Sequence, residues 1–344
     1  MLKKFNYKLG HIYLILKIFF QIAPRHLYLK LLLNTLRNFL RLYTPSSAVL
    51  ALTYKCQCRC IHCSAGFYKK DFLSELSTKE WFNLLDDIAD IGVPRINITG
   101  GEALLRKDIF SIIEYASKKF IVILESNGQL LTQENIKKLK KAKVSCVAVS
   151  LDDFDPASHD RMRNLEECFQ NALQGILNVI SYKIPCILST YVTSEKVNPE
   201  YLNKIIFLAK QLKVLAVRIL PSRPAGSFSC HTDSLLTKVQ EDDLINYIDS
   251  SKAYYKGIPS PKQCGLFCKA TFYISPYGEV QLCPYLPFSF GNINKSTLLE
   301  ILRRMWKHVI FNRKQKDCLI LNDSFRNEKV TPFLNKDYVF PIEI

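Results

Sequence analysis

Ala48-Val-Leu-Ala-Leu-Thr-Tyr54, followed at once by Lys55-Cys56-Gln-Cys58-Arg-Cys60-Ile-His62-Cys63, is the stretch on which the reading of this chain turns. A short apolar run bounded by polar residues reads as a buried strand. The loop that leaves it carries Cys56, Cys60 and Cys63 at C-x3-C-x2-C spacing. A [4Fe–4S] cluster takes four ligands, normally thiolates, so a compact set of three leaves one iron open to bind something else. A zinc site would need a fourth Cys or His, which His62 or Cys58 could nominally supply. Disulfides fit poorly, because nothing else in the chain has the marks of a secreted protein. Cys58 is an extra thiol inside the loop and reads as a bystander.

Outward from this stretch, short apolar runs alternate with helical periodicity. Strands are expected at 48–54, 94–99, 120–125, 145–151, 185–192 and 214–220, with helices near 78–91, 107–119, 132–142, 166–182 and 199–212. Such alternation argues for a parallel sheet with helical crossovers, and Ser77-Thr-Lys-Glu80 reads as a capping box. In β/α barrels the chemistry sits on loops after the C-terminal ends of the strands. Three such ends carry short polar sets. Thr99-Gly100-Gly101-Glu102 closes the second strand: paired glycines admit a close backbone approach, and a carboxylate can accept hydrogen bonds from an ammonium. Glu125-Ser126-Asn127-Gly128 closes the third and Ser150-Leu151-Asp152 the fourth, offering groups that suit ribose hydroxyls and a carboxylate. An ordinary turn is the alternative at each.

The cysteine spacing, with Gly-Gly-Glu and Ser-Leu-Asp following in order, resembles the radical S-adenosylmethionine (SAM) superfamily. The resemblance implies an α/β fold whose core is a partial (β/α)6 TIM-like barrel. Cys56, Cys60 and Cys63 would hold a [4Fe–4S] cluster whose free iron binds the amino and carboxylate groups of SAM. An electron from the cluster would cleave SAM and release a 5′-deoxyadenosyl radical that takes a hydrogen atom from a substrate. Gly100, Gly101 and Glu102 would then meet the methionine ammonium, and Ser126, Asn127, Ser150 and Asp152 the ribose and methionyl groups. His159-Asp-Arg-Met-Arg163 resembles the family's HD-x-x-R stretch, which would set Arg163 on the SAM carboxylate; a surface ion pair is the alternative. Cys58 departs from the pattern, standing where the family usually carries an apolar residue.

A second cysteine region begins at Cys264 and Cys268. Pro276-Tyr-Gly278 between two apolar runs signals a hairpin, which would return Cys283 toward Cys268. Cys268-x9-Gly278-x4-Cys283 resembles the opening of the SPASM and twitch extensions, which hold auxiliary iron–sulfur clusters. Only Cys318 follows, so the twitch form is expected, with one auxiliary [4Fe–4S] cluster drawn from Cys264, Cys268, Cys283 and Cys318. Zinc is the alternative here too. Cys146, Cys168, Cys186 and Cys230 read as buried small hydrophobes or free thiols.

The expected organisation is a basic amphipathic helical extension at 1–44, a core at 45–225, a helical linker at 226–261 with its helix near 237–254, a small α+β twitch-like domain at 262–323 and an unassigned tail at 324–344. A 48% hydrophobic and 23% charged composition is that of a soluble globular protein. The 12 cysteines, without a recognisable signal peptide, point to metal ligands in a reducing, cytoplasmic setting. Of the net charge of +16, half lies in residues 1–48, which hold eight Lys or Arg and no Asp or Glu. The apolar run at 12–23 is too short to span a bilayer, which takes about 20 residues. Basic residues among Leu, Ile and Phe suit a helix lying on an anionic membrane surface; the competing reading docks these helices on the barrel.

The function implied is that of a radical SAM enzyme fed by an external flavodoxin- or ferredoxin-type donor and acting on a peptide, as a maturase does, or on a small molecule. A second enzymatic reading, RNA modification, draws on the high pI and on Arg303, Arg304, Lys307, Arg313, Lys314 and Lys316, which a solvated basic face explains as well. A non-catalytic iron–sulfur carrier or partner-binding protein is the reading from another class. It would need neither Gly-Gly-Glu nor the polar strand ends.

Overall fold

The computed structural model describes residues 2–40, 44–66, 68, 73–229, 231–248, 250–255, 270–308, 318–334 and 340–344. Two helices, α1 (Leu2–Ile22) and α2 (Tyr28–Phe39), precede the first strand. Then come β1 (Ser47–Ala51), α3 (Thr78–Asp90), β2 (Arg95–Thr99), α4 (Ile109–Ser117), β3 (Ile121–Ser126), α5 (Gln133–Lys141), β4 (Cys146–Ser150), α6 (Pro156–Arg163), α7 (Cys168–Ser181), β5 (Cys186–Val192), α8 (Pro199–Gln211) and β6 (Ala216–Pro221). All six strands expected from the sequence are there. Neighbours from β1 to β6 pair in parallel, as crossover helices require. The capping box forms at the start of α3, where Ser77 and Glu80 satisfy each other's backbone N–H groups.

Successive strand side chains point to opposite faces, and both faces of these strands are buried, each in a different cluster. Val122, Leu124, Val147, Val149 and Leu188 join Trp81, Leu84, Leu85 and Ile88 of α3 in the main core. Ile121, Ile123, Cys146, Ala148 and Ile187 project to the concave side, and there they meet Ile22, Ala23 and Leu27. The N-terminal extension thus plugs the barrel from the end where the strands begin. Lys30 Nζ donates to the Lys119 carbonyl at 3.3 Å, just before β3. Asn34 Nδ2 donates to the carbonyls of Pro45 (3.1 Å) and Gly92 (3.3 Å), just before β1 and β2.

The sheet does not close. After α9 (Lys238–Tyr247), β7 (Ala253–Tyr255) joins β6 at one edge. At the other edge β8 (Thr271–Ile274) pairs in parallel with β1, with Ser47 opposite Thr271. From there β9 (Glu279–Gln281), β10 (Phe288–Asn292) and β11 (Ile342–Glu343) continue the same sheet, giving 11 strands among the described residues in the order β11-β10-β9-β8-β1-β2-β3-β4-β5-β6-β7. The expected hairpin is the β8–β9 pair, turned by Pro276, Tyr277 and Gly278, whose φ is +86°. It is an extension of the barrel sheet rather than a sheet of its own.

Several elements differ from the sequence reading. The helix expected near 237–254 stops at Tyr247 because Ala253 enters β7. α6 was not expected: its Ser, His, Asp and Arg residues give no apolar stripe, yet Asp155 caps it through Ser158 N and Pro156 opens it. Beyond α10 (Leu298–Lys307), the unassigned tail contributes α11 (Asp323–Lys329), α12 (Thr331–Leu334) and β11, and it buries Phe325, Val330 and Phe340.

Candidate active site

The cysteine loop leaves β1 at the C-terminal end of the sheet and is laced to its surroundings by backbone bonds. Arg59 N donates to the Arg163 carbonyl (3.1 Å) and Ile61 N to that of Met162 (3.0 Å), so the end of α6 serves as its rest. The Cys63 carbonyl accepts from Ser227 N at 2.9 Å. Gly101 N donates to Thr53 O (2.7 Å) and Glu102 N to Lys55 O (2.8 Å), which presses the Gly-Gly-Glu turn against the start of the loop. A Cβ on Gly100 would lie 2.1 Å from Thr53 O, and one on Gly101 2.2 Å from Lys55 O. The pair of glycines is needed here for backbone against backbone.

Glu102 is fully buried. Its carboxylate accepts from Asn127 N (2.8 Å), Leu104 N (3.2 Å) and Ser126 Oγ (3.1 Å to each oxygen), tying the ends of β2 and β3 together. Burial pushes its pKa up to about 7 against the pull of these donors. Asn127 Nδ2 in turn points at the cysteine loop, 3.6 Å from Cys56 Sγ and 3.4 Å from Cys58 Sγ. Gly128 follows with φ +91° and its Cα face against Ala172. Ser150 is half-buried at the end of β4.

Asp152 and Arg163 are both buried, with Arg163 Nη2 2.6 Å from Asp152 Oδ2. Asp152 Oδ1 accepts from Tyr191 N at 3.0 Å, and Asp152 N donates to His159 Nδ1 at 3.0 Å. Burial raises the Asp152 pKa, but Arg163, His62 and His159 outweigh it and hold the carboxyl at about 2. Arg163 Nη1 reaches Cys60 Sγ at 3.6 Å. The surface ion pair offered as the alternative for Arg163 is therefore excluded: its partners are a buried carboxylate and a loop thiol. Hydrogen bonding from Cys58, together with Arg163, brings Cys60 down to about 6 despite burial. Burial pushes Cys63 up to about 11.

Several residues take places in the site that the sequence reading did not give them. His62 stacks on Tyr191 at 4.3 Å between ring centroids, and burial lowers its pKa to about 4, so it is a neutral aromatic wall beside Asp152. The thiol of Cys168, read as a small hydrophobe or free thiol, lies beside Cys58 and accepts from Gln129 Nε2 at 3.3 Å. On the concave side below, Arg218 of β6 reaches across to Glu125 of β3, with Nη1 2.8 Å from Oε1; Asn97 of β2 donates to the same oxygen at 2.8 Å. The pattern that could have flagged this network is a charged residue inside each of two apolar strands.

The donor set fits an iron–sulfur cluster. Three thiols share one loop, and the two side chains that reach the Cys56 and Cys60 sulfurs, Asn127 and Arg163, are hydrogen-bond donors, the kind of contact that tunes a thiolate-bound cluster. In the C-terminal strands, Cys283 follows β9 and Cys318 precedes a short turn at Leu319–Leu321. Both thiols act electrostatically on the half-buried Tyr285, so the structure brings these two candidates to one neighbourhood. Cys264 and Cys268 lie outside the described residues, as does Cys230. Among the described residues no helix is long and apolar enough to cross a membrane.

Comparison with known proteins agrees with this geometry. The family model of the radical SAM superfamily matches residues 50–209, and that of an iron–sulfur cluster-binding domain, SPASM, matches residues 264–320. The chain is 26% identical over 299 residues to the AdoMet-dependent heme synthase of Nitratidesulfovibrio vulgaris, covering 76% of this chain and 80% of that protein. It is 27% identical over 258 residues to the PqqA peptide cyclase of Methylocella silvestris, covering 71% of this chain and 69% of that protein. In fold it is similar to Streptococcus suis SuiB bound to S-adenosylmethionine, with a TM-score of 0.64 at 14% identity over 78% of this chain and 67% of that one. With these domains come SAM, a [4Fe–4S] cluster and auxiliary iron–sulfur binding. The chain therefore belongs to the radical SAM superfamily, as an enzyme with a C-terminal SPASM domain.

Proposed function

We propose that Cys56, Cys60 and Cys63 hold the [4Fe–4S] cluster, that Gly100, Gly101, Glu102, Ser126, Asn127, Ser150, Asp152 and Arg163 form the SAM side of the site, and that Cys264, Cys268, Cys283 and Cys318 serve one auxiliary cluster. The observation that carries this reading is the pair of donors, Asn127 and Arg163, which join the ends of β3 and α6 to the cysteine sulfurs. When bound, the cluster would supply the electron that splits SAM into methionine and a 5′-deoxyadenosyl radical, which would take a hydrogen atom from substrate. Arg163 and Asn127 offset thiolate charge. Glu102 fixes the separation of two strand ends, and Asp152 holds Arg163 in place. His62 and Tyr191 wall the site against water. An external flavodoxin- or ferredoxin-type donor supplies the electron, and residues 1–44 make peripheral contact with an anionic membrane surface from the reducing, cytoplasmic side.

The substrate in the first reading is a peptide, supported by the similarity to a peptide cyclase across 71% of the chain. A second reading, a heme precursor, is favoured by the heme synthase match, which covers more of both proteins. Anaerobic turnover with SAM separates them. A protease-sensitive peptide fraction should raise 5′-deoxyadenosine above the substrate-free rate, and Fe-coproporphyrin III should not. The reverse result moves the assignment to the second reading.

A further inference from the structure

Helix α2 carries its apolar face outward. Leu29, Leu32, Leu33, Leu36, Phe39 and Leu40 are all exposed, Leu29 at 65% and Phe39 at 82%. At 3.6 residues per turn they fall within one side of the helix, an arc of about 120°. The side turned to the protein presents Asn34, buried and spent on the Pro45 and Gly92 carbonyls. A helix on an ordinary water-facing surface shows the opposite arrangement. Helix α1 adds Ile12, Leu16 and Phe20, four residues apart and exposed at 55%, 49% and 66%. Leu14, Ile22 and Leu27, in contrast, are buried. The two sequence readings of this segment are thus compatible: one set of apolar residues plugs the barrel and another faces out.

The charges around this face select its occupant. Lys17, Arg25 and Arg37 are exposed along its margin, and residues 1–48 contain no acidic side chain. A second copy of the chain would bring two basic margins together, which repel. An anionic lipid surface takes the apolar face into its acyl boundary and the Lys and Arg heads at its phosphates. We propose that α2 and the second half of α1 seat in the headgroup layer of an anionic bilayer, with the starts of the strands toward the lipid and the cysteine loop away from it. This rests on the membrane contact inferred above and is independent of the radical chemistry. The orientation follows from the anchors: Lys30 and Asn34 tie α2 to the residues just before β1, β2 and β3, whereas the cysteine loop, Glu102 and Asp152 follow strand ends. The mouth of the site therefore opens to the aqueous phase, and the substrate enters from solution.

The test uses the full chain with phosphatidylglycerol vesicles and phosphatidylcholine vesicles. The parent should sediment with the first and not the second, and high salt should release it. The variant Leu32→Ser/Leu36→Ser/Phe39→Ser, changed only at exposed positions, should keep the parent's thermal transition and bind at least tenfold more weakly. A tryptophan at Leu36 (L36W) should be quenched by brominated phosphatidylglycerol, and one at Leu105 (L105W), in the turn after β2, should not. A parent that binds neither vesicle removes the membrane contact itself. A parent that binds while the triple serine variant binds equally well, or while L105W is quenched, leaves the contact standing and overturns this face and orientation. Concentration-dependent dimers of the parent that the triple variant abolishes, without vesicle binding, assign the face to a second copy and overturn the proposal.

Discussion

Arg163 Nη2 lies 2.6 Å from Asp152 Oδ2, and the same guanidinium reaches the Cys60 sulfur with its other nitrogen at 3.6 Å. One side chain thereby couples the end of β4 to the cysteine loop. Removing one partner of a buried pair strands the other charge and costs about 3–5 kcal/mol, more than replacing both. Arg163→Met should lower the stability of the cluster-free protein by about that much in urea, and Arg163→Met/Asp152→Asn should recover part of the loss. Equal destabilisation of the single and double variants would show that the two residues are not coupled.

Glu102 makes stability fall as pH rises. Its folded pKa, about 7, lies above the ordinary carboxylate value of 4.5, so the native state holds a proton that the unfolded state has released. The stability tied to that proton is fully present below 4.5 and is lost as pH rises through 7, by about 3 kcal/mol at about 1.4 kcal/mol per unit. Subtracting the pH profile of Glu102→Gln from that of the parent should leave this slope. A flat difference between pH 4.5 and 7.5 would mean that the carboxyl is not held protonated.

Gly101→Ala should disable cluster assembly. The added Cβ would stand 2.2 Å from the Lys55 carbonyl oxygen, a backbone atom that can move only with the cysteine loop. Reconstituted iron at the first site should drop several-fold. Iron content equal to the parent's would show that the loop tolerates displacement.

Cys58→Ala probes the thiol that the sequence marks as out of pattern. Cys58 lies beside Cys56, Cys60 and Cys168, and under the proposed ligand set it holds no iron. Iron content and SAM cleavage should stay within about twofold of the parent, a difference of roughly 0.4 kcal/mol. Loss of the cluster would make Cys58 a ligand.

The parallel strands were readable because each is buried on both faces and so appears as a continuous apolar run, as in Ile121–Leu124 and Cys146–Val149. The polar strand ends were readable because Glu102, Asn127 and Asp152 interrupt those runs at fixed places. What each carboxylate touches was not. Glu102 meets donors 24 and 25 residues away in sequence, and Arg163 meets Cys60 across 103. Helix α6 has no apolar periodicity because its role is to carry His159 and Arg163 inward. The parallel pairing of β8 with β1 was hidden for another reason: the two strands lie 224 residues apart, as the Ser47–Thr271 hydroxyl contact shows, and nothing local in either announces the other.

Two proteins compared side by side decide whether Cys56, Cys60 and Cys63 hold the cluster at which SAM is cleaved. Parent protein and a Cys56→Ala/Cys60→Ala/Cys63→Ala variant, both reconstituted anaerobically with iron and sulfide, are given dithionite and SAM, and 5′-deoxyadenosine is counted. The parent should form it; the variant should form none while keeping the iron bound by the downstream cysteines. A variant that cleaves SAM at the parent's rate would contradict the account.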